Sequence, residues 1–296
     1  LFEGAYKVTA GLYKEFGERR VKDTPIAEEV IVGASIGAAM AGLRPVAEIM
    51  TINFILVAVD QIVNNAAKIR YMFGGQAKVP MVVRTPGGGG QQLAAQHSQN
   101  LEVYFSYVPG LKVVAPSTPA DAKGLLKAAI RDDDPVIFIE NIALYNTRGE
   151  VPEGEHLTPI GKSDVKRVGR DVTIVSHSRA TVWAMEAAES LAKDGIEAEV
   201  VDLRTLRPLD MEPVLESVRK TNHAVVFEEG WPTYGVSAEI AARISEHAFD
   251  YLDAPVRRVG GAEVPMPYSK VMERAAMPKP QDVVDVVKTL LARSTG

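Results

Sequence analysis

Pro80-Met81-Val82-Val83-Arg84-Thr85-Pro86-Gly87-Gly88-Gly89-Gly90-Gln91-Gln92 is a short apolar run that feeds directly into a glycine-rich turn. Open α/β sheets place their ligand loops at such a junction, just past the carboxyl end of a strand. Working outward, Pro45–Met50, Lys112–Ala115 and Val136–Glu140 read as neighbouring strands. Helical patterns at Gly33–Gly42, Ile55–Phe73 and Ala120–Arg131 alternate with them. The last opens after Ser117-Thr118-Pro119, a hydroxyl cap followed by an early proline. A second series begins near residue 171, with strands expected at Val172–Ser176, Glu197–Leu203, Ala224–Glu228 and Val256–Val259. Its helices are expected at Ala180–Lys193, Met211–Lys220, Val236–His247 and Gln281–Arg293. Strands alternating with longer helices predict an α/β class, with mostly parallel sheets covered on both faces. Asn146 to Lys162 carries Gly149, Pro152, Gly154 and Pro159 without periodicity and reads as a linker. The expected architecture is two domains, 1–148 and 166–296, joined by a linker at 149–165, each a mostly parallel sheet flanked by helices.

Bulk properties narrow the function. The chain has 296 residues, enough for two ordinary cores, with 46% hydrophobic and 24% charged residues. A formal charge of −5 without a Lys/Arg cluster argues against nucleic acid, because neutralising phosphates needs a basic patch. The absence of cysteine excludes disulfides, thiolate metal sites and a cysteine nucleophile. The longest apolar helix pattern, Ile55–Phe73, is interrupted by Asp60, Gln61, Asn64, Asn65 and Lys68, so no membrane span is expected. The chain does not open on a basic segment leading into an apolar run and cleavage site, so no signal or transit peptide is expected. A bacterial cytoplasmic location follows as the expectation, with the mitochondrial matrix as the alternative.

Several segments could carry chemistry, each beside a plainer reading. No GxxxxGK[ST] loop, strand-linked GxGxxG or HExxH occurs, which removes the usual nucleotide and zinc signatures. Ser176-His177-Ser178 ends a strand but lacks the elbow a nucleophile needs. The glycine run could cradle an anion through backbone N–H groups, or be a mobile loop. Glu28 could be an ordinary acid at a helix N-terminus. His97 could be a surface loop residue. Asp132-Asp133-Asp134 could be a solvated turn or hold a cation through oxygen. The helix Gly33–Gly42 is built almost wholly of small residues, which suits either a tight contact with another chain or burial on its own sheet.

Taken in order, the segments resemble the β subunit of the decarboxylase component of thiamine-diphosphate-dependent 2-oxoacid dehydrogenases. The resemblance runs through Asp23-Thr24-Pro25-Ile26-Ala27-Glu28, Gly42-Leu43-Arg44-Pro45, Asp60-Gln61-Ile62-Val63-Asn64 and Ala95-Gln96-His97-Ser98-Gln99. It continues through Pro109-Gly110-Leu111-Lys112-Val113-Val114 and Asp202-Leu203-Arg204-Thr205-Leu206-Arg207-Pro208-Leu209-Asp210 to Pro265-Met266-Pro267-Tyr268, covering essentially the whole chain. It implies a pyrimidine-binding domain followed by a transketolase C-terminal-like domain, in an α2β2 heterotetramer with an α subunit. Thiamine diphosphate would lie at the α/β contacts, its diphosphate and Mg2+ held by the α subunit. The sequence agrees, since no Gly-Asp-Gly segment is present.

The resemblance also assigns roles. Glu28 matches the acid that bonds the far ring nitrogen of the aminopyrimidine, enabling the cofactor's own amino group to take the thiazolium proton. Such a group must be shielded from water. Met50 and Phe54 match residues that pack on the pyrimidine; His97 matches an active-site histidine at the substrate end. Met81, Ala129, Ile130, Asp132 and Asp134 match the groups around a monovalent cation, expected to be K+; Asp134 stands where an amide residue is expected. Met50–Phe54 and Arg70–Gln76 are similar to pyruvate-type members, and Ile55–Val59 lacks the aromatic-proline segment of branched-chain ones. The expected reaction is oxidative decarboxylation of pyruvate with acetyl transfer to a lipoyl group, and docking to a lipoyl acyltransferase core. Acetoin or branched-chain 2-oxoacid dehydrogenases are the alternative, and a degenerate, non-catalytic docking subunit is the competing class. Family members carry more chain ahead of the segment matching Gly4–Thr9, so a trimmed N-terminus is expected.

Overall fold

Val82, Val83, Val136, Ile137, Phe138 and Ile139 are all buried, as strands covered on both faces require. The computed structural model describes residues 3–294. The first half runs α1 (Leu12–Phe16), α2 (Glu28–Met40), β1 (Val46–Glu48), α3 (Ala67–Met72) and β2 (Val82–Gly87). It continues with α4 (Glu102–Ser106), β3 (Lys112–Val114), α5 (Pro119–Arg131) and β4 (Val136–Asn141). The second half opens with β5 (Asp164–Arg167), β6 (Val172–Ser176), α6 (Ser178–Lys193), β7 (Ala198–Asp202) and β8 (Thr205–Arg207). It closes with α7 (Glu212–Thr221), β9 (Ala224–Phe227), α8 (Val236–Ala248), β10 (Arg257–Val259), α9 (Lys270–Ala276) and α10 (Pro280–Ser294).

Two five-stranded sheets result, ordered β1-β2-β4-β3-β8 and β10-β9-β6-β7-β5. All pairings are parallel except the two edge strands, β8 on β3 and β5 on β7. The strand β8 belongs to the second half of the chain yet completes the first sheet, with Thr205 opposite Val114 and Arg207 opposite Val113. One hydrophobic core therefore runs from Val32 and Ile55 through Val113 to Leu206, Val214 and Ile240. Ion pairs close the same seam: Lys166 reaches Asp121 at 2.6 Å, and Arg204 reaches Asp121 at 2.9 Å and Asp164 at 2.7 Å.

Local signals explain most boundaries. Thr118 Oγ1 accepts from Asp121 N at 3.1 Å, capping α5 with Pro119 as its first residue. Two expectations need correction. The stretch 149–165 is not linker throughout, because β5 starts at Asp164 and pairs with Asp202. The single helix expected over Ile55–Phe73 is instead a 3-10 segment (Ile52–Ala58), a π segment (Gln61–Ala66) and α3. Ile52, Ile55 and Ala58 are buried at a spacing of three, which fits three residues per turn better than 3.6. Among the described residues, no helix is long and apolar enough to cross a membrane.

Candidate active site

Glu28 is the first residue of α2, at the positive end of the helix dipole, and only 9% exposed. It heads the inward stripe Glu28, Val32, Ile36, Ala39, whereas Glu29 faces out. Met50 follows β1 and is 37% exposed; Phe54 sits in the 3-10 segment, partly buried against the core. That segment packs on α2 and on the short turn Ala95–His97. The imidazole of His97 meets the Phe54 ring edge-on, with centroids 5.1 Å apart, and is otherwise exposed. Asn53 Nδ2 donates to Gln99 Oε1 at 2.7 Å, lacing the two segments together. The residues assigned to the cofactor's pyrimidine and to the substrate end thus share one wall.

The same wall holds unspent polar atoms. Thr51 Oγ1, Asn53 Oδ1, Thr85 Oγ1 and Ser98 Oγ are buried without a partner, and each lies beside Met50, Phe54 or His97 in the chain or at the end of β2. Buried polar atoms are nearly always hydrogen-bonded, so such a cluster suits a ligand that completes it. The residues present fit the pyrimidine half of thiamine diphosphate.

They do not fit its other half. The glycine loop after β2 does cradle anions, but they are carboxylates of the second domain. Glu229 Oε1 accepts from Gly89 N at 2.8 Å, and Glu273 Oε1 accepts from Gly90 N and Gln92 N at 3.0 Å each. Arg179 stands 3.7 Å from Glu229, and Asn141 Nδ2 donates to Glu229 Oε2 at 2.8 Å. Sequence reasoning missed Glu229, Glu273 and Arg179. Glu229 carried a usable signal, since it closely follows β9 at a sheet's carboxyl edge; Glu273, in the first turn of α9, carried none. Nearby, burial, reinforced by like charge on Glu229 and Glu228, pushes the Glu102 carboxyl up to about 8. Burial alone takes the His177 imidazole down to about 4, so it stays neutral at the N-terminus of α6. Ser176 Oγ donates to Thr181 Oγ1 at 3.1 Å rather than to His177.

The acidic turn is occupied by the protein's own cations. Lys112 Nζ holds Asp132 at 2.6 Å, Arg70 holds Asp134 at 2.5 Å, and Arg44 and Lys78 hold Asp133 at 2.8 Å and 2.6 Å. Arg44 Nη1 also donates to the carbonyls of Ile130 and Asp132, at 3.1 Å and 2.7 Å. Of the remaining carbonyls, Met81 accepts from Val136 N at 3.0 Å and Ala129 from Asp132 N at 3.3 Å. As arranged, these donors do not fit a bare cation unless Arg44 moves. Among the described residues no cluster of three or more His, Asp or Glu is placed to hold a metal.

Large apolar side chains lie exposed on and beside α2, the 3-10 segment, α3 and α4. Val30, Met40, Leu56, Val57, Tyr71, Met72, Phe73, Tyr104 and Tyr107 are all exposed. The helix α2 buries one stripe and leaves Val30 67% exposed beside Ala34 and Gly37. Of the two readings of this small-residue helix, burial on its own fold accounts for one face only. Large exposed apolar patches are a mark of partner sites.

Comparison with known proteins agrees with this geometry. The family model "Transketolase, pyrimidine binding domain" matches residues 1–147, and "Transketolase, C-terminal domain" matches residues 161–283. A split-gene transketolase, described as an inactive beta4 tetramer, superposes with a TM-score of 0.78 at 26% identity, over 97% of this chain and 88% of that one. The chain is 52% identical over 290 residues to the pyruvate dehydrogenase E1 component subunit beta of Rhizobium meliloti (strain 1021), covering 98% of this chain and 63% of that protein's length. It is 50% identical to the mitochondrial subunits of Dictyostelium discoideum, over 99% of this chain and 83% of the relative, and of Homo sapiens, over 98% and 82%. With a buried Glu28 beside the Phe54–His97 wall and such likeness along nearly its full length, the chain belongs to the pyruvate dehydrogenase E1 component β-subunit family.

Proposed function

We propose that this chain is the β half of a thiamine-diphosphate-dependent pyruvate dehydrogenase decarboxylase component, active only with an α subunit in an α2β2 assembly. It decarboxylates pyruvate and passes the acetyl group to a lipoyl arm of an acyltransferase core. The observation that carries the reading is a half-site: Glu28, Phe54 and His97 offer a wall suited to the pyrimidine, while the glycine-rich loop after β2 is filled by Glu229 and Glu273. Diphosphate and Mg2+ are accordingly assigned to the α subunit, which the apolar surface around α2 would receive. A bacterial cytoplasm is proposed as the location, with the mitochondrial matrix as the alternative.

When bound, the cofactor supplies an acidic thiazolium carbon and an electron sink for decarboxylation. Glu28 holds a proton at the ring nitrogen of the pyrimidine, and its burial keeps water from competing for that bond. Met50 and Phe54 orient the ring by packing. His97, exposed at the far end and braced by Phe54, binds the oxoacid carboxylate or moves a proton when the acyl group leaves. A monovalent cation at Met81, Ala129, Ile130, Asp132 and Asp134 is proposed only in competition with Arg44.

The test is 2-oxoacid-dependent decarboxylation by the chain alone, by the chain reconstituted with an α subunit, and by Glu28→Gln in the same assembly. Pyruvate turnover is expected only after reconstitution, and a loss of ~100-fold or more is expected in the variant. Full activity of the isolated chain would overturn the half-site. Acetoin cleavage without pyruvate turnover would keep the site and change the substrate, and assembly without turnover would mark a docking subunit.

A further inference from the structure

The loop that carries His97 is strained and is held from outside its own domain. Gly88 and Gly90 lie at φ +93° and +94°, and Gln92 and Ala94 at +56° and +63°. Glycine adopts this region freely, but Gln92 and Ala94 do so only where their surroundings over-determine it. The Gly88 N–H donates to the Gln99 carbonyl at 3.2 Å and closes the base of the loop. Further restraint comes from the second domain. Glu273, 1% exposed, accepts both the Gly90 and Gln92 N–H groups on one oxygen at 3.0 Å. Glu229 accepts the Gly89 N–H at 2.8 Å, while Arg179, stacked 4.3 Å over the Trp183 ring, donates to the Gly89 carbonyl at 3.0 Å. A side chain at Gly89 would meet the Met266 Cε at 3.1 Å, so the loop is also pressed against that domain.

We infer that Glu273, Glu229 and Arg179 are positioning residues for His97: the second domain sets the imidazole by gripping three successive parts of the loop that leads to it. The inference rests on His97 acting in the reaction proposed above. Glu273 acts through the loop, whose Gly90 and Gln92 N–H groups it holds.

The experiment uses the assembled α/β enzyme. Glu273→Met removes the shared acceptor, whereas Glu273→Gln keeps a carbonyl oxygen that can take both N–H groups. E273M is expected to lower kcat/KM for pyruvate by about 10- to 100-fold, the scale of a small misplacement of a reacting group, and E273Q to recover most of it. In a His97→Ala background E273M should cost less than about twofold, because residues acting as a unit are not additive. Amide hydrogen exchange over residues 88–97 should quicken by roughly tenfold or more in E273M, while α10 keeps its protection. Arg179→Gln, a milder cut at the Gly89 carbonyl, repeats the test should E273M fold poorly. Equal losses with and without His97, or unchanged exchange in the loop, would overturn the inference. Faster loop exchange in E273M with a fully active His97→Ala enzyme would support the grip and sink the role of His97 instead.

Discussion

The edge of the His97 imidazole meets the ring of Phe54 with centroids 5.1 Å apart, joining the residue assigned to the pyrimidine with the one assigned to the substrate end. An aromatic pair of this kind contributes about 0.5–1.5 kcal/mol beyond its area. Phe54→Leu keeps apolar bulk and loses the edge contact. In reconstituted enzyme, kcat/KM for pyruvate in Phe54→Leu, His97→Ala and the double variant should show a coupling of about 0.5–1.5 kcal/mol. Strictly additive losses would mean that the contact does nothing for the reaction.

Gly37 has nothing within 4 Å of the place a Cβ would occupy, and it lies on the exposed face of α2. Nothing in the chain itself requires a glycine there, and glycine costs a helix interior about 1 kcal/mol relative to alanine. Gly37→Leu is therefore expected to leave the isolated chain as stable as before, or to raise its Tm. It should also block close approach by a partner helix. Analytical ultracentrifugation with the α subunit should show the heterotetramer lost or weakened by about tenfold or more in G37L. An unaffected assembly would place the partner elsewhere.

How much of this was legible beforehand depends on distance along the chain. Val172–Ser176 was readable to the residue because an apolar run bounded by polar turns is a local signal. Thr118-Pro119 announced α5 for the same reason. The strand β8 was not readable, since Thr205–Arg207 is three residues long and its partner β3 lies in the other half of the chain. The three-residue spacing of Ile52, Ile55 and Ala58 was in plain view, yet an apolar run that continues into Gln61–Met72 reads as one helix. Glu28, Met50, Phe54 and His97 were named by resemblance, and no periodicity could have singled them out. The carboxylates that fill the glycine loop sit 140 and 183 positions away, so the sequence left that run as either an anion cradle or a mobile loop and named no anion.

Arg44 donates to two carbonyls of the proposed cation site, so K+ and the guanidinium compete for them. A ligand that binds only the folded state raises stability in proportion to RT ln(1 + [L]/Kd). Replacing choline chloride by KCl at constant ionic strength should therefore raise Tm more in Arg44→Met than in the unaltered chain. Arg44 is half-exposed, so the substitution leaves no buried charge stranded. The same increment in both proteins would show that these carbonyls are not where K+ acts.

Glu102 gives the fold a pH dependence of defined sign. Its carboxyl, buried on α4 near Glu229 and Glu228, keeps its proton to about pH 8, whereas the unfolded chain releases it near 4.5. Between those values the folded state binds the extra proton. The stability Glu102 contributes is thus complete below the unfolded value and is lost as pH rises through about 8. Glu102→Gln supplies a permanently neutral group of the same shape. Its Tm should fall less than that of the unaltered chain between about pH 5.5 and pH 8, by ~2 °C or more on the scale of a 1 kcal/mol change in a domain of this size. The comparison isolates Glu102 because the other buried acids titrate in both proteins alike. If the two melting curves ran parallel across that range, Glu102 would be ionised in the fold.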